Sequence, residues 1–412
     1  MENNKKSLIN TNLRWFMLGM ILANIAGTMA YSMMSLYMID LGASVGQVGM
    51  VFTVASLVPL ALQIFAGWFS DTVGRLKAIA IGSAISVFGY IIFLFSPSWE
   101  WVLLGLSVEF ISSSFVGPSF SSYIAEQSDE AVRGKVYGIT NGIYMVVTVI
   151  GPVLAGSLVY RLNFQVMLLV AFAFYALATG LRVWMGFSDN FKPAQAPQKP
   201  TFGGLKSQLK GMLTLLFAGG IVTWLWISDG ISDTTSSLTY ELFPIYLADI
   251  GRLTYEQIGL LGSLWGAASI GGSFLGGWLT DKRSEREVIA AGFGLHILGL
   301  VAIVLSRSTW GFVAARLLSG LGVGMLLPSY NSLISKVVPE DKRGLAFGFF
   351  GTSLGIISLP MPWIGAQLWE RFTPQTPFWI TAIACILIIP IVWFKFVLPK
   401  GTPAAQSGDE PG

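Results

Sequence analysis

Apolar runs of about twenty residues alternate along this chain with short breaks rich in charged residues, proline and glycine. Each run is long enough to cross about 30 Å of hydrocarbon at 1.5 Å per helical residue. The pattern predicts spans at 13–38, 45–70, 76–96, 101–124, 136–160 and 164–186. A second set follows at 221–247, 255–280, 288–306, 309–335, 344–367 and 376–398. The expected fold class is an all-α polytopic membrane protein with twelve transmembrane helices.

The two sets are copies. GWFSDTVGRLK at Gly67–Lys77 ends one run in an Asp, a Gly and two cations, and GWLTDKRSERE at Gly277–Glu287 repeats its first half 210 residues later. The same shift carries Gln47 to Gln257, Gly82 to Gly292, Pro118-Ser119 to Pro328-Ser329, Arg133-Gly134 to Arg343-Gly344 and Pro152 to Pro362. Register held over such a distance identifies one unit of about six elements used twice. The expected organisation is two pseudo-symmetric six-helix bundles at 1–187 and 221–399, a cytoplasmic linker at 188–220 and a disordered tail at 400–412.

Composition agrees: 53% of residues are hydrophobic and 11% charged, against roughly 25% charged in ordinary soluble domains. A net charge of +3 gives no reason to expect a nucleic-acid partner. One cysteine, Cys385, excludes disulfides within the chain. Twenty Lys and Arg fall on the side of the termini and only four, Arg161, Arg252, Arg307 and Arg371, in the opposite loops. By the positive-inside rule both termini are expected in the cytoplasm of a cell-membrane protein. The first run has an internal counterpart and exceeds a signal-peptide core, so it reads as a retained helix. In the linker, Leu205, Leu209, Met212, Leu213, Leu216 and Phe217 stand at helical spacing, which suits an amphipathic helix at the membrane face.

Twelve spans in two related halves, with this motif after span 2, resemble the major facilitator superfamily, the match running from about residue 10 to 400. Gly67, Asp71, Gly74 and Arg75 stand at the defining positions of its span 2–3 motif. The second copy keeps Gly277 and Asp281 but has Ser284 and Glu285 where a Gly and a cation are expected. The resemblance implies a cytoplasmic gate that latches the two halves, with Glu126 as a further member. A tight turn with ordinary surface charges is the alternative. In span 5, Gly151, Pro152 and Gly156 are similar to part of the motif of the family's drug–proton antiporters, with Val147 where an upstream Gly is expected. Pro362 at the matching place in span 11 leaves a shared structural kink as an equally physical reading.

Ionisable residues inside spans are costly and are functional candidates by default. Five are expected there: Glu109, Asp229, Asp233, Glu241 and Arg316. Asp229, Asp233, Ser236, Ser237 and Tyr240 share one helical face, with Asp233 near mid-membrane, Asp229 nearer the cytoplasm and Glu241 nearer the outside. Spans 1, 4, 7 and 10 line the cavity in the resembled family, which implies that all five reach one water-filled path. Asp233 and Glu109 are the expected proton or cation carriers and Arg316 the resetting partner of a carboxylate, Glu241 among them. The alternatives are a structural ion pair for Arg316 and an interfacial position for Asp229. Asn24, Tyr31, Tyr144, Trp265 and Tyr330 are expected substrate contacts, or else packing residues. His296, in span 9, is expected to be structural.

No GxxxxGK[ST] loop, metal-ligand spacing or nucleophile elbow is present, so neither nucleotide nor enzyme chemistry is expected. The expectation is a monomeric secondary transporter in the lipid bilayer, with no cofactor and driven by the proton gradient. It would export hydrophobic or cationic small molecules in exchange for protons. A proton symporter importing a sugar or organic anion is one alternative, and a non-transporting receptor or assembly platform is another.

Overall fold

Local sequence starts the helices. A computed structural model of the chain describes residues 10–128, 132–188, 220–338 and 355–397. The predicted linker helix, the tail and the start of the predicted eleventh span lie outside the described residues. Asn10 accepts a hydrogen bond from the Leu13 amide at 2.8 Å and opens α1 (Thr11–Asp40). Ser44 and Gln47 form a reciprocal capping box at the start of α2 (Val45–Ala55). Thr254 and Gln257 repeat it 210 residues on, at the start of α10 (Tyr255–Lys282).

The first half continues through α3 (Leu57–Val73), α4 (Arg75–Leu94), α5 (Trp99–Glu126), α6 (Arg133–Arg161) and α7 (Phe164–Phe187). The second half holds α8 (Ile221–Ser237), α9 (Phe243–Asp249), α10, α11 (Glu285–Leu305), α12 (Thr309–Val337), α13 (Met361–Arg371) and α14 (Thr376–Lys395). Among the described residues, nine of these helices are long and apolar enough to cross a membrane.

Two predicted spans are divided ahead of an internal proline, and span 11 also breaks at 359–360, just before α13. Span 2 divides at Ser56 into α2 and α3, because Pro59 cannot donate to the Ala55 carbonyl. Span 7 divides into α8 and α9 around a turn at 238–242, where Pro244 likewise withholds a donor from Tyr240. Tyr240 therefore lies beyond the end of α8 rather than on its continuous face, and Glu241 sits in the turn.

The halves repeat their internal packing. The pairs α3–α5, α4–α5, α4–α7 and α1–α7 have the counterparts α10–α12, α11–α12, α11–α14 and α8–α14. Details repeat as well. Ser119 donates to Ser70 at 2.7 Å, and Ser329 bonds with Thr280 at 2.9 Å in the same register.

Among the described residues, contact between the halves is mainly at the ends away from the Gly67–Lys77 motif, through α2–α13 and α6–α10. Gly156 and Gly259 let α6 and α10 touch: a Cβ on either would lie 2.9 Å from the other's Cα. A Cβ at Gly259 would also strike the Pro152 carbonyl, and one at Gly49 the Pro362 carbonyl, so the seal has two pseudo-symmetric seams. The Glu370 carboxylate accepts from the Gly46 amide at 2.6 Å, capping the N-terminus of α2 from the opposite half. At this end one continuous core joins residues such as Met33, Phe52 and Val159 of the first half to Tyr246, Ile258 and Trp369 of the second. Toward the motif end the core divides in two, around Phe16, Ile79 and Tyr123 in one half and Phe293, Leu326 and Ile388 in the other.

Candidate functional site

Among the described residues the halves meet mainly at one end, and a cavity of about 960 Å³ lies between them. Its walls come from α1, α6, α8–α12 and the 238–242 turn, with one residue from α14. The structure places Asn24, Tyr31, Tyr144, Trp265 and Tyr330 on this wall, together with Asp229, Asp233, Glu241 and Arg316. Pro152 is there too, while Gly151 packs against Thr28 of α1 and Gly156 forms the seam with α10. His296 also reaches the wall, although its Nδ1 is engaged with Ser319 Oγ at 2.9 Å.

Glu109 does not reach it. None of the lining residues belongs to α5, contrary to the expectation that span 4 lines the path. Glu109 instead faces α4, where Ser86 donates to its carboxylate and Gly89 leaves room for its side chain. The pair stands in register with His296 and Ser319 in the second half, so the position is a repeated interhelical tie.

Sequence reasoning counted Arg182 among the cytoplasmic cations, yet it is buried within α7 and donates to Ser83 Oγ at 2.8 Å. Its guanidinium is within electrostatic reach of Glu109. Its place inside the predicted span 164–186, with the apolar Trp-Met-Gly-Phe after it at 184–187, was the available signal that the helix carries it into the interior. Removing one member of a buried charged group strands the other. Arg182→Ala is expected to destabilise the protein by about 3–5 kcal/mol. An unchanged apparent Tm of the detergent-purified variant would contradict this.

Within the cavity the carboxylates have distinct partners. Asp233 Oδ2 accepts from Ser358 Oγ at 2.7 Å and is open to the cavity, with Asp229 one helical turn away. Glu241 Oε1 accepts from Tyr31 Oη at 2.5 Å, a bond that crosses between the halves. The expected Glu241–Arg316 pair is therefore absent, since Glu241 is committed to Tyr31. Arg316 lies 4.1 Å from the Phe243 ring and 5.2 Å from the Trp265 ring, and its Nε donates to the Leu261 carbonyl at 3.4 Å. Among the described residues it makes no ion pair.

The motif residues form ties within each half. Arg75 pairs with Asp71, contacts Glu126 at 3.1 Å and donates to Ser70 Oγ at 3.0 Å, binding α3, α4 and α5 together. Among the described residues all members of this tie belong to the first half, so it joins helices within one bundle. Gly74 adopts φ +96°, a conformation that favours glycine, whereas Ser284 at the equivalent place has φ −73° and needs none. Glu285 and Lys336, in register with Arg75 and Glu126, form the same tie with the charges reversed. Asp281 lies exposed beyond it; Gly67 falls within α3 and Gly277 within α10.

Comparison with known proteins agrees with this architecture. The family model described as Major Facilitator Superfamily matches residues 16–228 and 225–411. The chain is 26% identical to the multi-drug resistance efflux pump PmrA homolog of Lactococcus lactis subsp. lactis (strain IL1403), over 87% of each chain. It is 23% identical to the Na(+), Li(+), K(+)/H(+) antiporter of Planococcus maritimus, over 86% of this chain and 91% of that protein. The crystal structure of a bacterial homologue of the iron transporter ferroportin in an inward-facing state superposes with a TM-score of 0.76 at 15% identity, covering 93% of this chain and 98% of that one. Repeat, fold and family model converge: the chain belongs to the Major Facilitator Superfamily, whose members are multi-pass membrane transporters.

Proposed function

We propose that this protein exports lipophilic cationic small molecules across the cell membrane in exchange for protons. The single observation that carries the reading is Asp233, a carboxylate open to a cavity that is sealed between the halves at one end. A carboxylate in a membrane interior calls for a proton or a cation. One group cannot hold both, so binding a cation requires release of the proton, and the exchange is obligatory. The names of the relatives, an efflux pump and a cation–proton antiporter, support the same exchange.

The charge asymmetry of the loops supports cytoplasmic termini. The motif end is then cytoplasmic and the arrangement inward-facing. Transport follows from rocking of the first bundle (1–187) against the second (221–399), which opens the two seams and closes the motif end. Opening must also part Tyr31 from Glu241, since that bond spans the halves. Arg316 lies on the same wall and supplies the countercharge when Glu241 is freed. In the closed motif end, Asp71 and Asp281 meet the helix N-termini of the opposite half. The proposed working unit is a monomer, with the proton gradient as its only energy source.

The test is flux in proteoliposomes with an imposed pH gradient. Moving a lipophilic cation inward should carry protons outward, and replacing sodium by choline should change nothing. Protons moving in the same direction as the substrate would overturn the reading in favour of symport.

A further inference from the structure

Among the described lining residues Arg316 is the only Lys or Arg, and the exchange described above does not use it in this arrangement. Its guanidinium lies between aromatic rings, with Phe243 at 4.1 Å and Trp265 at 5.2 Å. Only its Nε has a described protein acceptor, the Leu261 carbonyl at 3.4 Å, and the carboxylate on the same wall, Glu241, is held by Tyr31. An unpaired charge inside a membrane protein is costly unless something completes it. A guanidinium with its terminal nitrogens free presents a planar fork that fits a carboxylate with two parallel hydrogen bonds.

Opposite in charge, Asp233 and Asp229 lie on α8. Asp233 precedes Tyr240 by seven residues, through the rest of α8 and a turn bonded at helical spacing. Tyr240 is within electrostatic reach of Arg316, so at about 1.5 Å per residue the anionic end stands on the order of 10 Å along the wall from the neighbourhood of the cation. The same wall carries Tyr144, Tyr240 and Trp265, surfaces that stack against a flat apolar body.

We propose that the preferred substrates are planar aromatic zwitterions, bound with an amine or other cation at Asp233 and a carboxylate at Arg316. The inference rests on the cavity being the transport site proposed above and adds the anionic half of the ligand. The cation at Asp233 remains the group exchanged for a proton. The carboxylate decides which cations are held well.

Tetramethylrhodamine offers a matched pair of probes: the free acid is a zwitterion and its methyl ester a monocation. Fluorescence anisotropy with purified full-length protein in detergent measures the Kd of each without a proton gradient. The wild type should bind the free acid at least about tenfold more tightly than the ester, the size expected of one charge-assisted pair. In Arg316→Gln the ratio of the two Kd values should fall to about one. Arg316→Lys, which keeps the charge but not the fork, should restore part of it. Asp233→Asn should weaken both probes and leave their ratio unchanged. A wild-type ratio near one, or one that survives Arg316→Gln, overturns the proposal, including the case in which chloride satisfies Arg316. Failure of antiport in the flux experiment, with the binding ratio intact, would instead overturn only the exchange reading.

Discussion

Proton-driven export should fall to the level of protein-free liposomes in Asp233→Asn, while the protein still inserts and purifies. The amide keeps the shape of the carboxyl and its bond from Ser358 Oγ, which lies at 2.7 Å from Oδ2 in the native side chain. What it removes is the group that alternately holds a proton and a cation. A hydrogen-bonded charge is worth about 1.5–3 kcal/mol. Cation affinity should therefore drop roughly 10- to 100-fold. Coupling should be lost altogether, because an amide releases no proton when a cation arrives. Asp229, one turn away, is the only other carboxylate on α8 that lines the cavity, and it has a different neighbourhood. If it carries the exchange, Asp233→Asn will still pump.

The second large effect concerns the seal. Gly259→Leu should displace the protein from the arrangement described here, because even a Cβ at that position strikes the Pro152 carbonyl. Overpacking at a rigid contact costs about 1–3 kcal/mol, and every 1.4 kcal/mol shifts a two-state population tenfold. The mirror substitution Gly49→Leu, against the Pro362 carbonyl and Ala366, should act in the same direction. The single cysteine simplifies the measurement. In a Cys385→Ser background, a cysteine at Thr53, whose hydroxyl accepts from the Trp363 amide at 3.1 Å, reports on the seam. Either leucine variant should raise its labelling by a membrane-impermeant maleimide applied from outside. Unchanged labelling with normal transport would show that the seams do not gate access.

Much of this was legible in the chain because its duplication fixes pairs of positions at once. The 210-residue shift pairs Gln47 with Gln257 and Ser119 with Ser329, and the structure gives the members of each pair the same role, in a capping box and in a hydroxyl tie. Helical spacing also indicates which residues share a face of α8. It does not indicate which neighbour that face meets. Glu109 was expected on the water-filled path, but α5 turns it toward Ser86 on α4, and only tertiary packing decides that. Pro59 and Pro244 were visible breaks within predicted spans and explain the two divided helices. The reversed pair Glu285–Lys336 was half visible: the missing cation at position 285 could be read, its compensation at 336 was not. Arg182 shows the limit of counting charges near span ends, since the apolar turn of helix that follows it buries what the count assigned to water. The Gly156–Gly259 seam had no sequence signal beyond two glycines, because it joins faces from different halves.

The central claim is that a cation and a proton compete for Asp233. The direct measurement is proton release from detergent-purified protein in weakly buffered solution when a lipophilic cation such as tetraphenylphosphonium is added. The wild type should release protons in proportion to binding, and Asp233→Asn should release none at a ligand concentration that saturates it. Undiminished release from Asp233→Asn would contradict the claim.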